Sequence, residues 1–336
     1  TLFRSLSLHS PAMEKGTLLS QYLKSNTNTE LSEVITAIAD ATVLINEKVR
    51  VAGLSDIVGV AGTTNVQGET VQKLDLLAND LIIEFLQKGT ACAALVSEET
   101  DAVLPIHAAG KYVVAVDPLD GSSNIDIAAP IGTIFAIWQK QSEGVATDAD
   151  FLQPGKQLAA AGYMLFGSST ILMLSVGKGT HGFTLAADGA YVMSHPELSI
   201  KKEGAIYSVN QGNIHKFTDG LKAFVAWCGE SDKATVRPFG LRYIGSMVGD
   251  LHRTILKGGI FFYPANKGES KGKLRLLYEC IPMSFLVTQA GGIASNGNMP
   301  ILEIQPEEIH ERTAIFIGSE KTVAQCLQFI QQEVEA

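Results

Sequence analysis

The chain lacks the features that mark several classes of protein. Four cysteines stand among its 336 residues, with no Cys-x-x-Cys pair and no cysteine–histidine set at the spacing of a zinc site. So few cysteines exclude a disulfide scaffold and predict buried thiols in a reducing compartment, so we expect a cytoplasmic location. No apolar run reaches the roughly 18 residues that a membrane-spanning helix needs.

An excess of positive charge is also absent. The chain carries 26 Lys and Arg against 35 Asp and Glu, a formal net charge of −9. Phosphate backbones and anionic lipid repel such a chain, so we expect neither a nucleic-acid nor a membrane partner. Apolar residues make up 46% and charged residues 18%, values that exclude disorder and a coiled coil. A chain of this length predicts about two domains.

Periodic patterns predict both helices and strands. Apolar residues at helical spacing predict helices over 31–50 and 72–88, with a loop of small and polar residues at 59–65 between them. Runs rich in β-branched residues predict strands at 112–116, 133–138 and 171–176, and a hairpin at 180–193 turning at Asp188-Gly189. The mixture predicts a layered α/β (α+β) protein, with domains at 1–199 and 200–336.

One polar segment follows directly on the strand at 112–116. It reads Asp117-Pro118-Leu119-Asp120-Gly121-Ser122-Ser123-Asn124. Two carboxylates three residues apart on a bent strand end can face one spot, where a hard divalent cation such as Mg²⁺ would neutralise them. The small residues after them offer N–H and hydroxyl groups to an anion. An ordinary Asp-rich turn would give the same pattern.

Other charged residues help to decide between a metal site and an ordinary Asp-rich turn. Glu98 and Glu99 end an apolar run at 91–96. They either lie on a solvated surface or belong to the same acidic pocket, where Glu98 would be a bridging ligand and Glu99 a base for water. The run Lys271-Gly272-Lys273-Leu274-Arg275 is a basic island in an acidic chain. It is either a solvated surface or, with hydroxyl donors brought close by folding, a phosphate-binding segment.

Several long motifs together resemble class I fructose-1,6-bisphosphatase over about residues 15–330. They are 116–126 (VDPLDGSSNID), 131–135 (IGTIF), 242–247 (RYIGSM), 259–264 (GIFFYP) and 272–280 (GKLRLLYEC). The Asp-Pro-x-Asp-Gly core alone would also fit the wider superfamily of magnesium-dependent, lithium-sensitive phosphatases. The resemblance implies a layered α/β/α/β/α sandwich of the sugar-phosphatase type.

The resemblance also implies roles for individual residues in Mg²⁺-dependent hydrolysis of the 1-phosphate of fructose 1,6-bisphosphate, a step of gluconeogenesis. Two or three Mg²⁺ ions, which Mn²⁺ can replace, would be held by Glu98, Asp117, the Leu119 carbonyl, Asp120 and Glu279. The acids that activate water would be Glu99, Asp75 and Glu69. The 1-phosphate would be held by Asp120, Gly121, Ser122, Ser123 and the catalytic Arg275. The 6-phosphate and sugar would be held by Asn210, Tyr243, Met247, Tyr263 and Lys273.

The family's oligomer and its regulation are implied as well. Arg242 matches an arginine that reaches into a neighbouring subunit's site, which implies a homo-oligomer, typically a homotetramer. Inhibition by AMP would involve Thr29, Glu30, Leu31, Ser32, Lys111 and Tyr112. Two departures are Gln139, where many relatives have an arginine, and Asn213, where many have a tyrosine in the 6-phosphate site.

Two other functions stay open. A related phosphatase of sedoheptulose 1,7-bisphosphate or of an inositol phosphate would use the same acidic residues, although the basic residues at 242, 273 and 275 favour two phosphates over one. A nucleotide sensor that kept the fold without activity would be expected to lack one of Glu98, Asp117, Asp120 or Glu279, and all four are present.

Overall fold

Seven α-helices lie in the part of the chain that the structure, a computed structural model, describes: residues 14–54, 60–64, 70–232, 234–269 and 271–335. They are α1 (Leu19–Asn26), α2 (Thr29–Arg50), α3 (Lys73–Lys88), α4 (Asp219–Gly229), α5 (Met247–Lys257), α6 (Ile281–Gln289) and α7 (Glu320–Glu335). None of these helices is both long enough and apolar enough to span a bilayer.

The strands form two large sheets and two small ones. Those up to residue 198 are β1 (Val60–Thr64), β2 (Thr70–Gln72), β3 (Cys92–Ser97), β4 (Leu104–Pro105), β5 (Tyr112–Asp120), β6 (Ile131–Gln139), β7 (Leu158–Phe166), β8 (Thr170–Ser175), β9 (Thr180–Leu185) and β10 (Tyr191–Leu198). The later ones are β11 (Ile206–Ser208), β12 (Gly240–Leu241), β13 (Ile260–Tyr263), β14 (Leu274–Arg275), β15 (Ile293–Ser295), β16 (Arg312–Thr313) and β17 (Ile315–Gly318).

The first large sheet has eight strands in the order β10-β9-β8-β7-β6-β5-β3-β4. Only the β3–β5 pair is parallel among the described pairs of this sheet, so the carboxyl ends of these two strands lie side by side. Strands β5 and β6 are buried along nearly their whole length because helices cover both faces of the sheet. The second large sheet has the order β12-β11-β13-β17-β15, and β14 pairs separately with β16.

The hydrophobic clusters define five layers. Helices α2 and α3 pack on the outer face of the first sheet, and α5 and α6 lie between the two large sheets in one continuous core. Helices α4 and α7 cover the far face of the second sheet. A helix with apolar residues on every side must be buried, and residues 281–287 of α6 are all buried. The predicted α/β/α/β/α sandwich is therefore confirmed.

Local differences from the predicted elements have identifiable causes. The predicted loop at 59–65 is wrong for residues 60–64, because they pair with β2 as strand β1; Gly59 and Asn65 lie outside the described residues. Strand β5 does not end before Asp117 but continues to Asp120. Its pairing with β6 shifts register between Asp117 and Asp120, at Pro118, which has no N–H to give to a neighbouring strand.

His252 on α5 makes stability depend on pH. Its Nδ1 lies 2.8 Å from the Tyr163 hydroxyl in the core, and burial, followed by His195 and Arg253, lowers its pKa from 6.5 to about 4. The unfolded chain binds this proton first, so the free energy of unfolding holds above pH 6.5 and falls by up to about 3 kcal/mol on the way to pH 4.

Urea unfolding of the wild type and of His252→Asn tests this expectation. Asparagine can still accept the Tyr163 hydroxyl bond but does not titrate, so the difference between the two proteins should shrink as the pH falls from 7 to 4.5. Parallel curves for the two proteins would show that His252 does not carry the effect.

Candidate active site

Three carboxyl groups from distant parts of the chain meet in one place. An oxygen of each of Asp117, Asp120 and Glu279 lies within 4.8 Å of the others, and all three side chains are buried. The first two residues belong to β5, and Glu279 lies in the turn of helix at 276–280 that precedes α6. Because α6 packs on strands of the first sheet, it brings Glu279 to the end of β5.

The irregular end of β5 is fixed by short hydrogen bonds. Asp117 Oδ1 accepts a bond of 3.0 Å from the N–H of Leu119, the turn that an Asp side chain commonly forms with the residue two positions on. The Thr133 hydroxyl of β6 donates to the Pro118 carbonyl at 2.8 Å. These bonds stabilise the local irregularity of β5 between Asp117 and Asp120.

Helix α5 supplies the donors that hold Asp120. The hydroxyl of Ser246, which caps the helix, donates to Oδ2 at 2.6 Å. The N–H groups of Met247 and Val248 donate to the same carboxylate at 3.1 and 2.9 Å. The amino end of a helix presents free N–H groups and positive potential, which suits an anion. Asp120 therefore links strand β5 of the first sheet to helix α5, which lies between the two large sheets.

Arg275 is the cation nearest these acids. Its Nη2 forms an ion pair with Glu98, and its Nη1 lies 3.7 Å from Glu279 Oε2. Its backbone N–H donates to that same oxygen at 2.6 Å. The Arg275 side chain is only 5% exposed, so the interpretation of the basic island as solvated surface is wrong for this residue. Exposed Lys271 instead pairs with Glu308 at the surface.

Burial and mutual repulsion shift the pKa values of the acids. The pKa of Asp117 lies well above its ordinary value because of burial and the charges of Glu98, Asp120 and Glu279. Burial likewise raises the pKa of Glu279, against the opposing effect of Arg275. The single positive charge of Arg275 does not balance the negative charges of these acids. The donor set, buried oxygens with excess negative charge, fits a hard divalent cation such as Mg²⁺ or Mn²⁺.

A cleft of about 460 Å³ contains these acids together with sugar- and phosphate-binding candidates. The predicted site residues that line it are Glu98, Asp117, Asp120, Gly121, Ser122, Ser123, Asn210, Tyr243, Met247, Tyr263, Lys273, Arg275 and Glu279. Gly121 has φ +77°, and a Cβ at this position would lie 2.5 Å from the Ser246 Cβ. Only glycine therefore lets the 121–123 segment follow Asp120 so closely past the start of α5.

Not every predicted site residue lines this cleft. Among the described residues, Leu119, Glu99, Asp75 and Arg242 do not line the cleft. Glu99 is half-buried next to Glu98, Asp75 is buried in the first turn of α3, and Arg242 is exposed with Nη1 on the Leu241 carbonyl at 2.7 Å. Glu69 lies outside the described residues.

Ser246 and Asp250 line the cleft and were missed by the sequence reasoning. Asp250 is fully buried and accepts bonds from the N–H groups of Ile244 and Gly245, which fixes the loop before α5. The signal was available: a serine just before the apolar helical pattern, with an acid in the first turn, marks a helix start. A helix start so placed directs its N–H groups towards a neighbouring anion.

A second group of predicted residues meets at the start of α2. The Asn28 side chain caps this helix by accepting a bond from Leu31 N–H and donates to the Tyr112 hydroxyl, both at 2.8 Å. Lys111 forms an ion pair with Glu30 of the first turn. Residues 29–32, Lys111 and Tyr112 are therefore neighbours, at the opposite end of β5 from Asp117 and Asp120. Gln139 at the end of β6 pairs with Tyr112 in the sheet.

Comparisons with known proteins agree with this arrangement. The family model described as the fructose-1,6-bisphosphatase N-terminal domain matches residues 13–196, and that of the C-terminal domain matches residues 200–331. A class 1 fructose-1,6-bisphosphatase of Cytophaga hutchinsonii is 47% identical over 311 residues, which are 91% of this chain and 90% of that protein. The Leishmania major fructose-1,6-bisphosphatase in its holo form has a TM-score of 0.89 and 36% identity, covering 95% of this chain and 100% of that one. Its apo form has a TM-score of 0.84 and 35% identity, covering 94% and 99%.

Proposed function

Because this chain belongs to the class 1 fructose-1,6-bisphosphatase family, we propose that its cleft hydrolyses the 1-phosphate of fructose 1,6-bisphosphate, giving fructose 6-phosphate and phosphate in gluconeogenesis. The observation that carries the proposal is the meeting of Asp117, Asp120 and Glu279 in a cleft that also contains Lys273 and Tyr263. The enzyme is a metal-dependent phosphatase; the identity of the metal as Mg²⁺, with Mn²⁺ as substitute, and a count of two or three ions are part of the proposal.

The metal would be held by residues around the acidic group. They are Glu98, Asp117, the Leu119 carbonyl, Asp120 and Glu279. When bound, such ions lower the pKa of a coordinated water and neutralise charge on the phosphate oxygens. Phosphate monoesters hydrolyse so slowly unaided that the barrier must fall by about 20 kcal/mol.

The chain's own groups bind and orient the substrate. Arg275 and the backbone N–H groups of 121–123 hold the transferring phosphate, and preorganised donors of this kind stabilise the charge that develops there. Glu99, with Asp75 and Glu69, accepts the proton of the attacking water. Asn210, Tyr243, Tyr263 and Lys273 bind the 6-phosphate, which fixes the 1-phosphate at the acids. Met247 packs against the sugar, and Arg242, exposed in one chain, reaches the site of a neighbouring subunit in a homotetramer.

A phosphate-release assay tests the function. We expect turnover of fructose 1,6-bisphosphate in Mg²⁺ or Mn²⁺ and a loss of at least about 10²-fold in excess EDTA, since the metal supplies much of the transition-state stabilisation. Sedoheptulose 1,7-bisphosphate and an inositol monophosphate, the substrates of the alternatives, should show lower kcat/KM. Full activity in EDTA, or a higher kcat/KM for either competitor, would contradict the proposal.

AMP inhibition forms a second part of the proposal. The start of α2 offers N–H groups to a phosphate, and Lys111 lies beside it, paired with Glu30. We expect Lys111→Met to raise the AMP concentration for half-inhibition about tenfold, the loss of one charge-assisted hydrogen bond.

Lys88→Met is the control for this prediction. Lys88 is exposed and pairs with Glu84 at 2.8 Å on α3, so its removal also deletes one surface charge. Half-inhibition should then stay at the wild-type AMP concentration. An unchanged value for Lys111→Met would remove Lys111 from the regulatory site.

The remaining features of the proposal concern the whole chain. We retain the division into domains 1–199 and 200–336, the homotetramer and a cytoplasmic location as predictions. All four cysteines are free and buried, which fits a reducing compartment.

A further inference from the structure

One histidine outside the cleft bridges two of the segments that carry the acids. His310 lies two residues before β16. Its Nδ1 is 3.0 Å from the Tyr278 hydroxyl, and its Nε2 is 3.3 Å from the Asp101 carbonyl oxygen. Tyr278 is the residue before Glu279. Asp101 lies three residues after Glu98. The imidazole therefore connects the segment that presents one acid to the segment that presents the other.

The bonding partners of this ring fix its tautomer. A carbonyl oxygen only accepts, so Nε2 carries the proton and donates to Asp101, while Nδ1 accepts from the Tyr278 hydroxyl. Burial lowers the pKa of His310, against the opposing effect of the Asp101 carbonyl, so the ring is neutral at pH 7. Tyr278 is fully buried, and its ring meets the imidazole edge-on with 6.0 Å between the centroids. The neutral imidazole therefore bonds to both segments at the same time.

Backbone bonds hold each segment against its side of the ring. The Leu276 N–H donates to the Glu311 carbonyl at 2.7 Å, which ties the residue next to the histidine to the start of the 276–280 turn. The Thr100 N–H donates to the Ser97 carbonyl at 3.3 Å, so the chain that follows β3 forms a closed turn. A displacement of the imidazole would therefore move the acids of the two segments relative to each other.

Arg275 is a second link between the same segments, but of a different kind. It forms an ion pair with Glu98, and its Nη1 lies 3.7 Å from Glu279. In the proposed reaction this guanidinium holds the transferring phosphate, so its bonds to the acids weaken when the substrate binds. The bonds of His310 involve no full charge and no oxygen of the acids. They can therefore stay in place when Arg275 turns to the phosphate.

We propose that His310 is a positioning residue of the metal site, which keeps Glu98 and Glu279 at the separation that a divalent cation needs. The inference rests on the proposed function, because it takes both acids as ligands. Groups that orient the ligands of a metal contribute to its affinity, and their loss typically weakens binding about 10- to 100-fold. Neither His310 nor Tyr278 is among the described residues that line the cleft, so changing them leaves the contacts to the substrate in place.

Calorimetric titration with Mn²⁺ in the absence of substrate tests this role. We expect Tyr278→Phe to weaken Mn²⁺ binding about three- to tenfold through the loss of one neutral hydrogen bond. His310→Leu loses both bonds and should weaken it about tenfold or more. His310→Asn keeps an acceptor near the Nδ1 position, so it should recover part of the affinity. The Mg²⁺ concentration for half-maximal activity should rise in parallel. The kcat in saturating Mg²⁺ and the KM for the sugar bisphosphate should stay within about twofold of the wild type.

Tyr163→Phe is the matched control. Tyr163 and His252 form a second buried pair of the same kind, with 2.8 Å between the hydroxyl and Nδ1 and 6.0 Å between the ring centroids. Neither residue is among those described as lining the cleft. Tyr163→Phe and Tyr278→Phe should lower the urea midpoint by similar amounts, because each removes one buried hydrogen bond. Only Tyr278→Phe should weaken Mn²⁺ binding, an effect that a purely structural role would not produce.

Wild-type affinity for Mn²⁺ in both Tyr278→Phe and His310→Leu would overturn the inference, even if the wild type hydrolyses the bisphosphate. If His310→Leu fails to fold, Tyr278→Phe decides the matter. Equal weakening in Tyr163→Phe would also overturn it, since the effect would then come from a general loss of stability. Failure of the proposed function has a different signature. In that case the difference in Mn²⁺ affinity between the two tyrosine variants persists, yet the wild type releases no phosphate from fructose 1,6-bisphosphate.

Discussion

Replacing Asp117 with asparagine is expected to abolish most activity and to stabilise the metal-free protein. The side chain keeps its size, and its oxygen can still accept the N–H of Leu119, so the end of β5 should hold its path. Loss of one ligand charge should lower kcat by roughly 10²-fold or more. Loss of one of several buried, mutually repelling acids should raise the free energy of unfolding at pH 8 by about 1–2 kcal/mol.

Asp120→Asn provides the contrast. Both oxygens of Asp120 accept bonds from the start of α5, so an amide NH₂ at this position must face a backbone N–H of Met247 or Val248. This variant should lose a similar amount of activity but become less stable. Phosphate release in saturating Mg²⁺ and urea unfolding in EDTA measure the two effects. Near-wild-type kcat for Asp117→Asn would refute the metal assignment.

Replacing Arg275 with methionine is expected to reduce both stability and activity. Arg275 is the buried counter-charge of Glu98 and Glu279, and removing one partner of a buried ion pair costs about 3–5 kcal/mol. The loss should be smaller at pH 5 than at pH 8, because the pKa of Glu279, already raised by burial, rises further without the guanidinium and the acid takes up a proton. Activity should fall by about 10²-fold, since the transferring phosphate loses its arginine.

Two further variants test whether the loss of the buried counter-charge causes these changes in stability and activity. Lys271→Met removes an exposed charge from the same segment, and its pair with Glu308 should contribute less than about 1 kcal/mol. Arg275→Lys keeps the charge but loses the planar fork, so it should recover part of the stability and little of the activity. The same urea midpoint for Arg275→Met and the wild type at pH 8 would rule out the counter-charge role.

Much of the fold could be predicted because its elements have strong local patterns. Helices α2 and α3 show regular apolar spacing, and β5 and β6 are apolar runs long enough to be recognised. The parallel pairing of β3 with β5 explains why Glu98 lies beside the end of β5, but it was not predicted, because the equally buried β5–β6 pair is antiparallel and burial does not distinguish the two. Strand β1 was missed because its pairing with β2 is a relation between two segments and leaves little trace in either one.

The candidate site could be predicted less completely than the fold. The acids of 117–120 stand out in the sequence, but their meeting with Glu279 depends on how α6 packs on the first sheet. The role of Ser246 depends on the direction in which α5 begins. Arg275 and Lys271 belong to one basic run, yet the first is buried against two acids and the second pairs at the surface. The sequence gives no sign of this difference, because only tertiary packing decides which of the two residues is buried.

Helix α6 also has a consequence for how the protein is made. Its seven buried residues, 281–287, contribute to a core shared by strands from both large sheets. The part of the inner face of the first sheet that α5 does not cover therefore stays exposed until the ribosome has added this helix. All eight strands of the first sheet emerge earlier, with the apolar strands β5 and β6 near its centre. The growing polypeptide therefore exposes apolar surface before the chain is complete, a condition that makes folding intermediates prone to aggregate.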